Sequence, residues 1–290
     1  MKFEQIESLD YKQIDIFKSL SEPGLKHYFE PNGGLFIAES EMIIARALNS
    51  GIKPYAWLLD EDNYKERRLL IEKYPDTQIY VGNKRLLNQI TGFNLARGID
   101  CAMIRPEPVR INTILSKRKI AILEDVMNPT NVGAIFRSAS ALGIEAVILT
   151  EASSDPLYRR SARVSMGTVF SIPWIHLGDI QRYCAKNSNE ADKNTCYGKC
   201  TTDELIDALK DNGFSVLGMA LSDNSVSIDS PKIKNLTKKA IVLGTESTGI
   251  KDTTLSKCDY IVKIPMANGV DSLNVAAASA VAFWELCKDA

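Results

Sequence analysis

The sequence predicts an α/β protein, with a mostly parallel sheet covered by helices on both faces and a smaller α/β domain in front of it. Short apolar segments alternate with helical segments along the 290 residues, which is typical of parallel sheets whose connections are helices. The composition, with 45% hydrophobic and 24% charged residues, is that of a globular protein. The length allows two domains that each bury a core.

The smaller domain is predicted over residues 1–104. Its apolar patterns indicate helices over residues 40–49 and 83–90 and short buried strands over residues 55–59 and 78–81. A linker is predicted over residues 105–116, because Pro106 and Pro108 remove backbone donors and favour extended backbone.

The larger domain is predicted over residues 117–290. Its strands are expected at residues 120–123, 146–149, 169–175, 215–221, 240–243 and 260–264, and its helices at residues 131–142, 201–212 and 272–287. The first of these helices repeats apolar residues at helical spacing. It is followed by Gly143, and glycine is the usual residue at the C′ position just after a helix. Residues 185–200 are polar and are predicted to form an inserted surface loop.

Charge and composition exclude several classes of protein. A net charge of −1 excludes a generally basic, histone-like protein, although it allows a local basic patch. The uncharged runs are too short to span a bilayer, and the first residues carry no apolar signal core. These features predict a cytoplasmic protein. Cys184, Cys196 and Cys200 lack a CxxC pair, so no metal site is predicted, and neither His27 nor His176 has a catalytic setting.

Three polar segments follow predicted strands, where ligands bind in open parallel sheets. The first contains Asn131, Gly133 and Arg137, and the arginine lies beside a position without a side chain on the helix surface, which suits a phosphate or carboxylate. A helix N-cap at Asn131 with a solvated Arg137 is the alternative. The second runs from Gly244 to Gly249 and lacks the lysine of a phosphate-binding loop, because residue 250 is isoleucine.

The third segment spans residues 264–274 and ends at a predicted helix that Ser272 can cap. Together the three segments resemble the SpoU (TrmH-like) family of RNA 2′-O-ribose methyltransferases, within the SPOUT superfamily. The resemblance covers residues 118–288. It depends on matching positions in all three segments, namely Asn131, Gly133, Arg137, Gly244, Glu246, Gly249, Ile264, Pro265, Met266, Ser272, Leu273 and Asn274.

The resemblance implies a C-terminal trefoil knot, a homodimer and S-adenosyl-L-methionine as cofactor. It implies that the cofactor lies against Leu243, Gly244, Thr245, Glu246, Ile264, Met266, Ser272, Leu273 and Asn274. The catalytic residues it implies are Arg137, Asn131, Glu246, Ser272 and Asn274. Arg137 is then either the group that removes the proton of the ribose hydroxyl or an anchor for the RNA phosphate. A guanidinium is normally always charged, which favours the anchor.

RNA is the expected partner, and ribosomal RNA is the expected substrate. The first domain resembles the RNA-binding domain that is often attached to this family, which is related to a ribosomal-protein fold. Basic residues predicted to contact RNA are Lys84, Arg85, Arg97, Arg159, Arg160 and Arg163. Two alternatives remain open, namely a transfer-RNA 2′-O-methyltransferase and a non-catalytic RNA-binding protein that has kept the fold.

Overall fold

The structure, a computed structural model, describes residues 2–8, 10–30, 33–90, 98–179 and 201–287. The chain divides into two compact units. The first unit is Met1–Glu107 with Leu157–Phe170, and the second is Pro108–Pro156 with Ser171–Ala290. The first unit therefore takes in a segment, Leu157–Phe170, that the sequence places in the larger domain.

Helices and strands alternate along most of the described residues, and the first unit has more of them than the sequence predicts. The strands are β1 Lys2–Ile6, β2 Leu35–Glu39, β3 Pro54–Asp60, β4 Gln78–Gly82, β5 Ile99–Ile104, β6 Lys119–Leu123, β7 Ala146–Leu149, β8 Trp174–His176, β9 Ser215–Met219, β10 Val226–Ser227, β11 Lys239–Leu243 and β12 Tyr260–Lys263. The helices are α1 Asp15–Lys18, α2 Glu22–Lys26, α3 Glu41–Asn49, α4 Glu61–Ile71, α5 Lys84–Ile90, α6 Ile111–Leu115, α7 Pro129–Ala141, α8 Arg159–Val164, α9 Thr202–Asp211, α10 Pro231–Lys234, α11 Asp252–Lys257 and α12 Val275–Cys287.

The first unit is built on a mixed five-stranded sheet. Its strand order is β1-β4-β3-β5-β2. β1, β4 and β3 are parallel, whereas β5 runs antiparallel to both of its neighbours, β3 and β2. Apolar residues of β1 to β5 are buried together with Ile14, Phe17 and Leu25 from the segment between β1 and β2. This arrangement confirms a small N-terminal α/β domain.

The second unit is built on a seven-stranded sheet in which every pair is parallel. Its strand order is β10-β12-β9-β11-β6-β7-β8. Leu123 at the end of β6 lies opposite both Leu243 of β11 and Leu149 of β7. The carboxyl ends of these strands therefore meet at one edge, where parallel sheets bind ligands. This fold confirms the predicted mostly parallel sheet with helices; the trefoil knot stays a prediction.

Several local expectations need correction. The sequence predicts residues 111–115 as part of the linker, but they form α6, and Ile111, Ile114 and Leu115 are buried in the core of the second unit. The sequence predicts one strand over residues 169–175, but the structure has a 3-10 helix at Thr168–Phe170 and then β8. The strand begins only after Pro173, which has no backbone N–H for a sheet ladder. No helix among the described residues is long and apolar enough to cross a membrane.

Asp100 gives the first unit a pH-dependent stability. It is 7% exposed and lies opposite Glu39 across β5 and β2. Burial, together with the negative charge of Glu39 and against the opposing effect of Arg159, raises the pKa of the Asp100 carboxyl to about 7. The folded state therefore keeps a proton that the unfolded chain loses near pH 4, so stability falls as pH rises between about 4 and 7.

We expect Asp100→Asn to raise the free energy of unfolding at pH 8 by on the order of 2 kcal/mol, because the amide avoids burying a charge. The same substitution should change little at pH 4, where the native carboxyl is protonated. Thermal or denaturant melts at the two pH values measure the difference, with exposed Asp76 mutated to Asn as the control. Equal gains at pH 4 and pH 8 would contradict the assignment.

Candidate functional site

Three turns at the carboxyl edge of the second sheet are joined by side-chain hydrogen bonds. Asn131 Nδ2 donates to Glu246 Oε1 over 2.7 Å. Asn274 Nδ2 donates to Asn131 Oδ1 over 3.3 Å and also to Glu246 Oε1. In the chain, Glu246 follows Asn131 by 115 positions and Asn274 follows it by 143. The structure therefore brings together one residue from each of the three segments that the sequence singled out.

Asn131 lies inside α7, facing Glu246, because the helix begins earlier than the sequence predicts. Asn128 is the N-cap, its side chain accepts the N–H of Thr130 over 2.9 Å, and Pro129 opens the helix. Proline is well suited to this first position, since its missing N–H has no helical partner there. Asn131 is thus inside the helix, 7% exposed, and its amide is available for Glu246. The alternative of an N-cap at Asn131 is wrong.

Glu246 is presented by a turn that closes on itself. The N–H of Thr245 donates to the C=O of Gly249, and the N–H of Gly249 donates back to Thr245, both over 3.1 Å. A Cβ on Gly244 would lie 2.2 Å from the carbonyl carbon of Gly249. Backbone atoms cannot move aside as a flexible side chain can, so residue 244 must be glycine for the turn to close.

Asn274 has two tasks at once. Its Oδ1 accepts the N–H of Ala276 over 3.0 Å and that of Ala277 over 3.4 Å, which caps α12. Its Nδ2 reaches Asn131 and Glu246. Ser272 was expected to cap this helix, but α12 begins at Val275, so Ser272 lies too far before the first turn. One amide side chain both starts the helix and links it to the other two turns.

The remaining predicted site residues lie at the strand ends or just beyond them. Leu243 and Gly244 are buried, Thr245, Ile264 and Met266 are half-buried, and Ser272 and Leu273 are exposed. Gly133 is buried within α7, so it does not share an exposed surface with Arg137. Arg137 is exposed and lies six residues after Asn131, about 9 Å further along the helix axis. Its guanidinium makes no hydrogen bond or ion pair with the described residues.

The predicted RNA-contacting residues have different surroundings. Lys84 and Arg85 are exposed on α5, and Arg160 is exposed on α8. Arg159 donates to the C=O of Phe17 and forms ion pairs with Glu22 and Glu39. Arg163 also pairs with Glu39, over 3.2 Å. Carboxylates within the first unit therefore engage Arg159 and Arg163, although Arg163 remains exposed while Arg159 is half-buried.

Some predictions fall outside the described residues. Arg97 is one of them, as are Cys184, Cys196 and Cys200 and the polar stretch at residues 185–200. The prediction that these cysteines hold no metal stays a prediction.

Sequence reasoning missed two acidic residues at the same edge. Glu124 and Asp125 follow β6 directly. Glu124 is 1% exposed, and its carboxylate accepts hydrogen bonds from Lys251 and Thr254. Asp125 pairs with the Lys251 ammonium over 2.6 Å and has a φ of +55°. The available signal was an acidic pair at the carboxyl end of a central strand, which is where functional residues of parallel sheets gather.

Comparison with known proteins agrees with this geometry. The SpoU rRNA Methylase family matches residues 118–197 and 194–284, which is more than half of the chain. The chain belongs to the SpoU rRNA methylase family. It is therefore an RNA methyltransferase by family, and the three turns that meet through Asn131, Glu246 and Asn274 all lie in the matched region.

Relatives extend the similarity to most of the chain. An uncharacterised tRNA/rRNA methyltransferase of Mycobacterium tuberculosis is 31% identical over 283 residues, which is 95% of this chain and 88% of that protein. A putative TrmH family tRNA/rRNA methyltransferase of Staphylococcus aureus is 29% identical over 167 residues, 58% of this chain and 57% of that protein.

Solved structures of SpoU-type enzymes share the fold. The AdoMet-bound rRNA methyltransferase of Sinorhizobium meliloti superposes with a TM-score of 0.77, at 21% identity, over 98% of this chain and 97% of that one. The SpoU methyltransferase AviRb of Streptomyces viridochromogenes, in complex with AdoMet, gives 0.71 at 19% identity over 97% and 98%. At these identities the likeness shows the fold.

Proposed function

We propose that this SpoU-family protein transfers a methyl group from S-adenosylmethionine to a ribose 2′-hydroxyl in structured RNA, with ribosomal RNA as the main substrate. The observation that carries the proposal is the convergence of Asn131, Glu246 and Asn274 at the carboxyl edge of the parallel sheet. The family is one of RNA methylases, and two solved structures of the same fold have AdoMet bound.

The segment after β12 suits a cofactor of this kind. Residues 264–274 form no regular helix or strand. Within this segment, the N–H of Val270 donates a hydrogen bond to the C=O of Ala267. The C=O of Asn274 accepts the N–H of Ala278, and the segment's remaining backbone groups make no other backbone hydrogen bond among the described residues, so they can meet a ligand. Val270 is 50% and Leu273 39% exposed, so apolar surface lies beside these polar groups. An adenosyl group with an amino-acid tail needs both apolar surface and polar groups in its binding site.

The chain's own residues would hold the reacting groups in line. When bound, S-adenosylmethionine supplies an electrophilic methyl group on a sulfonium. Asn131 and Glu246 orient the ribose, and Asn274 fixes both of them relative to α12. No covalent enzyme intermediate is required, because aligning the oxygen with the methyl carbon supplies a large part of the acceleration.

Arg137 is proposed as the anchor for the RNA phosphate next to the reacting 2′-oxygen. The structure leaves its guanidinium exposed and without a partner among the described residues, which is the state that a phosphate-binding arginine needs. The planar guanidinium matches a phosphate through two parallel hydrogen bonds. Guanidinium groups do not normally accept protons, so we propose that the proton of the hydroxyl leaves to solvent or to the phosphate rather than to Arg137.

Two features of the chain support RNA as the partner and a homodimer as the working form. The first unit carries exposed cations at Lys84 and Arg85, which favour phosphate contacts. On α12, Val281 is 40% and Trp284 53% exposed, three positions apart on one face. Large apolar side chains exposed together on one helix favour an interface between copies over core packing. We place the protein in the cytoplasm with its RNA substrate.

The proposal is tested by methyl transfer from labelled S-adenosylmethionine to purified ribosomal RNA and transfer RNA, followed by nucleoside analysis. Label in a 2′-O-methylated nucleoside of ribosomal RNA is the expected result. Label in transfer RNA alone would favour the transfer-RNA enzyme. Label on a base would overturn the ribose assignment. RNA binding without any transfer would favour the non-catalytic alternative.

We expect Asn274→Ala to weaken cofactor affinity by about tenfold, because it removes both the cap of α12 and the link to Glu246. Isothermal titration calorimetry with S-adenosylmethionine measures the change. Thr201→Ala is a matched control, since it removes the N-cap of α9 and leaves the three turns intact. Wild-type affinity in the Asn274 variant would count against this pocket.

A further inference from the structure

Glu124 brackets the turn that carries Glu246. Its N–H donates to the C=O of Leu243 over 2.8 Å, immediately before the turn. Its carboxylate accepts the N–H of Lys251 over 2.9 Å, immediately after the turn. One residue at the end of β6 therefore holds both ends of residues 244–250, although it is more than a hundred positions away in the chain.

The carboxylate of Glu124 is built into the protein interior. It is 1% exposed, and its second oxygen accepts the hydroxyl of Thr254 over 2.5 Å. α11 has Lys251 as its N-cap, and that side chain makes no capping bond. Glu124 thus supplies from another strand the negative group that a helix N-terminus favours. Because a buried carboxylate is costly unless hydrogen-bonded, these contacts fix it firmly in place.

Asp125 reinforces the same contact from its neighbouring position. Its Oδ2 pairs with Lys251 Nζ over 2.6 Å, and its Oδ1 accepts the Thr150 hydroxyl over 2.7 Å. Burial opposes ionisation of Asp125, but the hydrogen bonds from Lys251 and Thr150 outweigh it and lower its pKa. Its φ of +55° is unusual for a residue other than glycine. The contacts of Asp125 with Lys251 and Thr150 hold this backbone conformation.

We infer that Glu124 is a positioning residue that acts through Glu246, with Asp125 and Lys251 as its support. The turn closes on itself through Thr245 and Gly249, so fixing its two ends fixes the Glu246 carboxylate. Asn131, which binds that carboxylate, follows Glu124 by seven residues in the same loop and helix start. Glu124 therefore sets the distance between the two halves of the site. The inference rests on the proposed function and deepens it.

The first test uses the cofactor-free protein and does not depend on activity. Glu124→Gln keeps the shape of the side chain but replaces one hydrogen-bond-accepting oxygen with an NH2 group, which can only donate. We expect the amides of Gly249 and Lys251 to exchange with deuterium about tenfold faster. Glu204→Gln is the matched control, because Glu204 also bonds the N-terminal end of a helix, α9, and lies outside the turn. Unchanged exchange at Gly249 and Lys251 would overturn the inference.

The second test separates positioning from loss of stability. Glu124→Gln should lower the turnover number about tenfold while the KM for RNA changes little. In the Glu246→Gln protein, adding Glu124→Gln should cause little further loss of turnover, because Glu124 acts through Glu246. Additive losses would overturn the inference. If Glu124→Gln does not fold, Thr254→Val removes one of the two side-chain bonds and should raise exchange at Lys251; unchanged exchange there would also overturn it.

The two proposals fail in different ways. If the wild-type protein binds S-adenosylmethionine but transfers no methyl group to RNA, the proposed function fails, whereas the exchange measurement still decides whether Glu124 holds the turn. If methyl transfer occurs and Glu124→Gln leaves both exchange and turnover unchanged, the positioning role fails and the function stands.

Discussion

Replacing Arg137 with alanine is expected to lower methyl transfer by at least about 1000-fold, with little change in affinity for S-adenosylmethionine. The side chain is exposed, and no described residue pairs with it, so the structure gives it no part in holding the fold. Its proposed partner is the RNA phosphate beside the reacting hydroxyl. Single-turnover methylation of ribosomal RNA and calorimetry with the cofactor measure the two quantities separately.

Two variants make this result specific. Arg137→Lys keeps the charge but loses the planar pair of donors, so it should recover a small part of the activity. Arg118→Ala removes another exposed arginine of the second unit, one that pairs with Glu145, and should leave transfer unchanged. Normal turnover in Arg137→Ala would refute the assigned role. A parallel loss of cofactor affinity would instead make Arg137 part of the cofactor pocket.

Replacing Gly244 with alanine is expected to have the second large effect. The new Cβ would lie 2.2 Å from the carbonyl carbon of Gly249 and 2.4 Å from the nitrogen of Ile250. These are backbone atoms, so the turn must open, at a cost of about 3 kcal/mol in stability. Glu246 then moves away from Asn131 and Asn274. Methyl transfer should fall at least about 100-fold, since a displacement of about 1 Å has that effect.

Gly213→Ala is the appropriate control for this variant. Gly213 has a φ of +80°, and a Cβ there meets nothing within 4 Å. The substitution strains a helix end by about 1 kcal/mol and leaves the three turns untouched. Denaturant melts and methylation assays compare the two glycines. Equal activity losses in both variants would mean that stability, rather than the shape of the Glu246 turn, is responsible.

Several of the strands and helices were predictable because their signals are local. The C-terminal ends of α7 and α9 follow from helical apolar spacing and from glycines at C′ positions, Gly143 and Gly213. Where local signals compete, prediction was less accurate. Residues 169–175 are apolar enough for a strand, but Pro173 restricts the strand to the residues after it.

The contacts that build the site were not predictable from spacing alone. Asn131, Glu246 and Asn274 are far apart in the chain, and it was family resemblance that grouped their segments. Ser272 and Asn274 are both good helix caps, and the structure selects Asn274, whose amide also reaches Glu246. The burial of Glu124 depends on the backbone of its neighbour and on partners 127 and 130 residues away, which no local pattern reveals.

The claim that three distant turns form one cofactor site is tested most directly by hydrogen–deuterium exchange with and without S-adenosylmethionine. The account predicts that the cofactor slows exchange in residues 243–250 and 264–277 together, and that Glu246→Gln removes the protection in both. Protection confined to one of these segments, or located elsewhere in the chain, would contradict it.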